Sequence, residues 1–278
     1  MKRGKYATPF DILHAVSLLS HRERIGKFDL AISSVISTDS YVVDMGTGSG
    51  VLAMLAARAG AEHVSAIDVN PECIDYARRT AEANGLSDKI DFEVAHYADY
   101  FPDRRADLVI CEMLSSMMLI EQQVPACAHA VKHILKPDGV ILPYSAVVYV
   151  VPVESDALAK RFNIEDITFP TLPQTAGPDE TRDMSDTQIL TRFDFASEDT
   201  QNVDEVLVFE IVDEGTVHGF LGLFEADLGE DLTLKMDDGW RPLFLPLREE
   251  KEVSNGSTLE VRFRFTPGRY DSLSISVE

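Results

Sequence analysis

Short apolar runs alternate with amphipathic stretches through the first half of the chain. The apolar runs predict buried strands at 41–45, 63–68, 90–94 and 106–111, and from residue 140 onward. The amphipathic stretches predict helices at 10–36, 51–59, 70–85 and 121–135, and Pro137, Asp138 and Gly139 predict a turn. This alternation predicts an α/β fold with a doubly wound, mostly parallel sheet covered by helices on both faces.

The pattern changes after Pro143. Residues 155–202 are polar, with weak helix signals. Alternating apolar and polar positions then predict strands at 204–212, 216–228, 231–236, 240–247, 257–265 and 270–277. We therefore expect two domains: residues 1–143 with the parallel sheet, and residues 144–278 as a mostly antiparallel β-barrel or sandwich that binds substrate.

A glycine-rich turn follows the first predicted strand. Gly46, Gly48 and Gly50 occupy alternate positions, where the backbone can bend sharply and approach a ligand closely. The helix after the turn offers free N–H groups to a polar ligand. Asp68 ends the next strand, about 20 residues on, where a carboxylate can bind both hydroxyls of a ribose. These features predict a nucleoside-containing ligand.

Composition narrows the class of partner. The 278 residues include 47 acidic and 25 basic side chains, for a formal charge of −22. This charge disfavours duplex nucleic acid and favours cationic substrates, although it is equally typical of a highly soluble acidic protein.

The three cysteines form no CxxC pair, so we expect no metal site and a reducing compartment. No signal-peptide core follows the basic residues 1–5, and no apolar run reaches the roughly 20 residues of a membrane span. We expect a cytoplasmic protein.

The glycine spacing separates two kinds of nucleoside site. Dinucleotide enzymes with Rossmann folds use G-x-G-x-x-G, whereas this chain has G-x-G-x-G with Asp44 two positions before the first glycine. This arrangement resembles the S-adenosylmethionine site of class I methyltransferases. The resemblance implies a Rossmann-like domain in which Asp44, the three glycines and Asp68 bind that cofactor.

Two glutamates narrow the resemblance further. Glu112 follows the fourth strand, and Glu121 lies nine residues later, beyond an apolar, Ser-rich loop. In this spacing and place they resemble the catalytic glutamates of protein arginine methyltransferases. The similarity is strongest over 24–153 and continues weakly through 217–220 and 239–240. It implies an arginine-containing substrate, which two carboxylates can hold through charge-assisted hydrogen bonds. A homodimer is possible, although the family's dimerisation arm is not recognisable in 155–202.

The resemblance assigns further roles, with some departures. Other candidate cofactor ligands are Arg24, His14, Tyr97, Asp99 and Met113, and Trp240 is the candidate substrate contact. Ordinary packing is the alternative explanation for His14, Met113 and Trp240. Ala98 stands where the family has a glutamate and His21 where it has an aspartate. Gly239 replaces the histidine of the family's Thr-His-Trp loop, which supports the active site.

The hypothesis is an S-adenosylmethionine-dependent N-methyltransferase acting on an arginine guanidinium of a protein or peptide. Two alternatives stay open. The same cofactor domain could methylate a small molecule or an RNA. The absent loop histidine is also consistent with a scaffold that binds the cofactor without turnover.

Overall fold

The computed structural model describes residues 11–200 and 202–277, so the basic residues 1–5 lie outside the described part. The predicted helical region over 10–36 contains two helices rather than one. Helix α1 (Ile12–Ser17) continues into a short 3-10 turn, and α2 (Arg22–Val35) begins after His21. The His21 backbone, with φ −79° and ψ 72°, leaves the helical region, and the chain changes direction there.

A parallel sheet with helices forms the first half, as the sequence predicts. The elements are β1 (Tyr41–Met45), α3 (Val51–Ala59), β2 (His63–Asp68), α4 (Pro71–Ala83), β3 (Ile90–Val94), β4 (Ala106–Cys111), α5 (Gln123–His133) and β5 (Leu135–Leu142). The strand order is β3-β2-β1-β4-β5, and every pairing is parallel. All five residues of β1 are buried, and four of them are apolar or aromatic; Asp44 is the buried polar exception.

The predicted turn at Pro137, Asp138 and Gly139 lies inside β5 instead. Ala106 of β4 pairs with Leu135 and Leu108 pairs with Val140, so four residues of β5 face the single residue Asp107. The turn residues therefore form a wide bulge on this edge strand, where an unpaired proline nitrogen is tolerated.

Antiparallel strands form the second half, which confirms the predicted fold class. They begin at β6 (Ser145–Glu154), followed by the short helix α6 (Asp156–Lys160). The remaining strands are β7 (Asn163–Ile164), β8 (Ile167–Thr168), β9 (Gln174–Thr175), β10 (Arg182–Asp183), β11 (Gln188–Asp194), β12 (Val203–Glu210), β13 (Gly215–Gly229), β14 (Leu232–Leu234), β15 (Leu243–Val253), β16 (Thr258–Thr266) and β17 (Arg269–Val277). The polar region 155–202 thus holds short strands where the sequence showed only weak helix signals.

The two kinds of sheet share a core. Buried apolar side chains from β1 and β4 belong to the same cluster as those from β6 and β13. The domain boundary after residue 143 stays a prediction. Within the described residues, no helix combines the length and apolarity that a membrane crossing requires.

Candidate active site

A cavity of about 610 Å³ opens at the carboxyl ends of β1, β2 and β4. Helix α1, the start of α2 and residues of the antiparallel half complete its wall. Most of the predicted site residues line it: His14, Arg24, Gly46, Gly48, Asp68, Tyr97, Glu112, Met113, Glu121 and Trp240. Asp44, Gly50 and Asp99 are not among the lining residues. The predicted residues that line the cavity lie up to 226 residues apart in the sequence, from His14 to Trp240.

The glycine-rich turn has the geometry that its spacing predicts. Gly46 and Gly48 have φ angles of +72° and +54°, a region that L side chains rarely adopt. A Cβ on Gly48 would lie 3.4 Å from the Cβ of Ala15, so helix α1 lies directly across the turn. The turn and α1 together enclose one end of the cavity.

Asp44 and Gly50 support the turn from behind. The buried Asp44 carboxylate accepts hydrogen bonds from Thr47 Oγ1 at 2.6 Å and from the Ala53 N–H at 3.1 Å. Burial raises its pKa to about 7, although both hydrogen bonds oppose the shift. A Cβ on Gly50 would lie 2.7 Å from the Cβ of Ala77, so this glycine allows α3 and α4 to approach closely. Both residues shape the turn rather than the cavity surface.

Asp68 faces the cavity from the end of β2. Its Oδ2 accepts the Gly48 N–H at 2.9 Å, and its Oδ1 accepts the Asn70 N–H at 2.8 Å. Burial raises the pKa of Asp68, and these hydrogen bonds oppose the shift. Each oxygen retains acceptor capacity, since a carboxylate has about four lone-pair sites. The remaining acceptor sites of this carboxylate, beside the turn, fit the donating hydroxyls of a ribose.

Tyr97 and Asp99 lie on the 3-10 turn after β3. The Tyr97 hydroxyl donates to Gln122 Oε1 at 3.2 Å, and burial raises the pKa of Tyr97 to about 12. Asp99 is exposed to solvent. Tyr97 therefore contributes a ring to the cavity wall, whereas Asp99 lies outside the lining.

The loop from Glu112 to Glu121, here called the glutamate loop, is held in an unusual backbone conformation. Met117 and Met118 have φ angles of +65° and +53°, and both side chains are fully buried. A Cβ on Gly222 of β13 would overlap the Met117 side chain, so β13 admits this methionine only because residue 222 is glycine. Strained backbone of this kind persists only when surrounding contacts fix it.

Hydrogen bonds also place the second glutamate. Ser115 Oγ accepts the Ile120 N–H at 3.2 Å and the Glu121 N–H at 3.0 Å. Ser116 Oγ donates to the Arg241 carbonyl at 2.7 Å, which joins the loop to the antiparallel half. The Ser-rich character of the loop thus has a structural cause.

Gln123 fixes the first glutamate, and no sequence motif singles it out. Its fully buried Oε1 accepts the Met113 N–H at 2.8 Å, and its Nε2 donates to the Cys111 carbonyl at 2.8 Å. The two bonds lie on either side of Glu112. The sequence offers one signal for this role: Gln123 is a polar residue at the start of a helix face that is otherwise apolar.

Arg24 links the two glutamates electrostatically. It forms an ion pair with Glu112, and both side chains are nearly buried. Burial lowers the pKa of Arg24 to about 10, while the charges of Glu121 and Asp238 oppose this shift. Burial also raises the pKa of Glu121 to about 7, and the Arg24 charge opposes that shift. This part of the cavity thus places the two glutamates around one shared cation.

Trp240 packs against Arg24, the cation that is paired with Glu112. Its ring centroid lies 4.1 Å from Arg24 Cζ, a cation–π distance, and its Nε1 donates to the Leu114 carbonyl at 3.0 Å. Its ring also packs edge-on against Phe224 at 5.1 Å. Trp240 therefore contacts the cavity, the glutamate loop and the β13 core at once.

The fold and this cavity are those expected of a class I S-adenosylmethionine-dependent methyltransferase. Comparison with known proteins agrees: residues 42–139 match the family described as "Methyltransferase domain". The Arginine N(omega)-methyltransferase of Streptomyces achromogenes subsp. streptozoticus is 29% identical over 267 residues, covering 88% of this chain and 74% of the relative. A probable protein arginine N-methyltransferase 6 of Arabidopsis thaliana is 37% identical over 112 residues, covering 40% of this chain but only 26% of the relative.

A solved structure extends the likeness of the fold across the whole chain. The Trypanosoma brucei PRMT1 enzyme–prozyme heterotetrameric complex with AdoHcy superposes with a TM-score of 0.79, at 21% identity, over 94% of this chain and 91% of that chain. The chain is therefore an S-adenosylmethionine-dependent methyltransferase that resembles the protein arginine methyltransferases.

Proposed function

We propose that the chain transfers a methyl group to a guanidinium nitrogen of arginine. The observation that carries the proposal is the pair Glu112 and Glu121, which line the same cavity as the glycine-rich turn. The names of the two relatives, which both act on arginine by those names, support the same substrate. Arg24 bound to Glu112 is itself a guanidinium on one of these carboxylates, so the site already accommodates such a group.

The two carboxylates orient the acceptor and compensate its charge. S-adenosylmethionine supplies an electrophilic methyl group on a sulfonium cation, which repels a cationic guanidinium. Ionised Glu112 and Glu121 offset that repulsion in a water-poor cavity, where charges interact more strongly than in water. Hydrogen bonds from two guanidinium nitrogens to the carboxylates aim the third nitrogen. The methylated guanidinium then releases one proton, which Glu121 can accept because its pKa is about 7.

The remaining assignments belong to the same proposal. Gly46, Gly48 and Asp68 would contact the nucleoside, and Arg24 would bind the cofactor carboxylate. The boundary after residue 143 would separate a cofactor-binding domain from a substrate-binding domain. In support, the last parallel strand ends at Leu142 and the first antiparallel strand begins at Ser145.

A methyl-transfer assay with labelled cofactor tests the reaction. We expect Glu112→Gln to reduce transfer to an arginine peptide by at least 100-fold, while the dissociation constant for S-adenosylhomocysteine changes only a few-fold. The matched control is Glu82→Gln, the same change on the exposed face of α4, which should keep full activity. Full activity of the Glu112→Gln enzyme would overturn the proposed mechanism.

The choice of acceptor distinguishes the alternatives. An arginine-rich peptide, free L-arginine and a short RNA are offered separately, and product is identified by mass spectrometry. Methylation of the peptide or of free arginine supports guanidinium chemistry and tells its two sources apart. Transfer to RNA alone, or tight cofactor binding with no product from any acceptor, would contradict the proposal.

We also propose self-association in a cytoplasmic setting. Four apolar side chains of the segment 164–172 are 46–61% exposed: Ile164, Ile167, Phe169 and Leu172. Exposed apolar clusters of this kind favour association. Light scattering should give the mass of a dimer for the wild type and of a monomer for Ile167→Asp; a monomeric wild type would contradict the dimer.

The cytoplasmic setting is supported by the cysteines. The three cysteines are buried and free, which is consistent with a reducing compartment.

A further inference from the structure

The start of α2 contacts a short loop of the antiparallel half at three successive points. His21, Arg24 and Lys27, spaced three residues apart, meet Gly239, Trp240 and Asp238, and we call these six residues the helix–loop clamp. Residues three apart lie on one face of a helix, which explains the spacing. A Cβ on Gly239 would lie 2.5 Å from His21 Nδ1, so the imidazole fills the space that a side chain at 239 would occupy.

Lys27 forms an ion pair with Asp238 within the clamp. Its Nζ lies 2.8 Å and 2.6 Å from the two Asp238 carboxylate oxygens and 2.9 Å from the Thr233 carbonyl. The Asp238 side chain is only 3% exposed, and its Oδ2 also accepts the Lys235 N–H at 2.7 Å. A carboxylate this deeply buried requires a nearby cation.

Asp238 also acts on Arg24. Its charge raises the pKa of Arg24, as does the charge of Glu121. Arg24 is therefore a second cation available to Asp238, one helical turn from Lys27 and next to Trp240 in the clamp. Without Lys27, the buried carboxylate would attract Arg24 away from Glu112.

We infer that Lys27 is a positioning residue: by neutralising Asp238, it leaves Arg24 paired with Glu112 beneath Trp240. The inference rests on the proposed function only in so far as Glu112 and Arg24 serve the reaction. The inference explains how this loop can support the site although Gly239 stands where the resembling family has a histidine. The Lys27–Asp238 ion pair and the imidazole of His21 supply that support.

The variant Lys27→Met tests the inference, since methionine keeps most of the length of the side chain without its charge. Trp240 is the chain's single tryptophan, so intrinsic fluorescence reports directly on the clamp. We expect at least a twofold rise in acrylamide quenching and about a tenfold weaker affinity for S-adenosylhomocysteine by calorimetry. Lys27→Arg, which keeps the charge, should stay within twofold of wild type in both measurements.

The double variant Lys27→Met with Asp238→Asn separates charge competition from simple loosening. If Asp238 draws Arg24 away, neutralising it should restore most of the lost cofactor affinity; if Lys27 only supports the loop, the double variant should bind no better than Lys27→Met. Asp29→Asn is the matched control, because Asp29 lies on the same helix and pairs with Arg58 of α3 at 3.6 Å. It should change neither measurement.

The outcomes are distinct. Unchanged quenching and affinity in Lys27→Met, or no recovery in the double variant, would overturn the role of Lys27. Neither measurement uses a methyl acceptor, so a failure to methylate arginine would count against the proposed function and not against this inference.

Discussion

Replacing Gln123 by leucine should disturb the strand end that carries Glu112. Leucine has a similar volume but no polar atoms, so the Met113 N–H and the Cys111 carbonyl each lose a partner at 2.8 Å. Gln123 is fully buried, and no water can easily replace its amide. A buried polar group left without a partner costs about 1–3 kcal/mol, which gives roughly 2–6 kcal/mol for the two groups together.

Urea unfolding followed by circular dichroism measures this loss. With a slope of about 3 kcal/mol per molar, the midpoint should fall by roughly 0.7–2 M. Methyl transfer should also fall, because Glu112 lies between the two released backbone groups. The matched control is Gln188→Leu, which removes a single exposed hydrogen bond to Val208 and should cost less than about 0.5 kcal/mol. An unchanged midpoint and unchanged rate for Gln123→Leu would refute the anchoring role.

Three further predictions concern the cavity and its supports. Gly222→Ala should destabilise the fold by about 1–3 kcal/mol in urea and slow methyl transfer, because the new methyl group overlaps Met117; equal stability would show that the contact is dispensable. Burial raises the pKa of Glu121 to about 7, and only its ionised form attracts a cation, so kcat/KM for the acceptor should fall about tenfold per pH unit below 7 and level off above it. A flat pH profile would contradict that role. Asp68→Ala should raise the dissociation constant of S-adenosylhomocysteine by roughly 10–100-fold in calorimetry, since charged hydrogen bonds contribute about 1.5–3 kcal/mol; unchanged affinity would exclude a ribose contact.

Local sequence patterns predicted most of the parallel sheet because the central strands β1 and β4 are short, largely apolar runs whose residues are almost all buried. The glycine turn and its acidic partner were also recognisable, since left-handed backbone requires glycine at fixed positions. The bulge in β5 was mistaken for a turn, because Pro137 and Gly139 favour both and only pairing with β4 distinguishes them. The two-residue strands of 155–202 gave no clear signal, because two residues are too few to show an alternating pattern.

The sequence by itself determined the fold class, the cofactor turn and the two glutamates with their spacing, because these depend on local backbone preferences and on residue type. Only the tertiary structure decided what supports them. Gln123 flanks Glu112 through buried hydrogen bonds, and Gly222 admits Met117 from a strand more than 100 residues away. Lys27 meets Asp238 across 211 residues. Such contacts join side chains that no local periodicity relates, so their partners become visible only when the chain is folded.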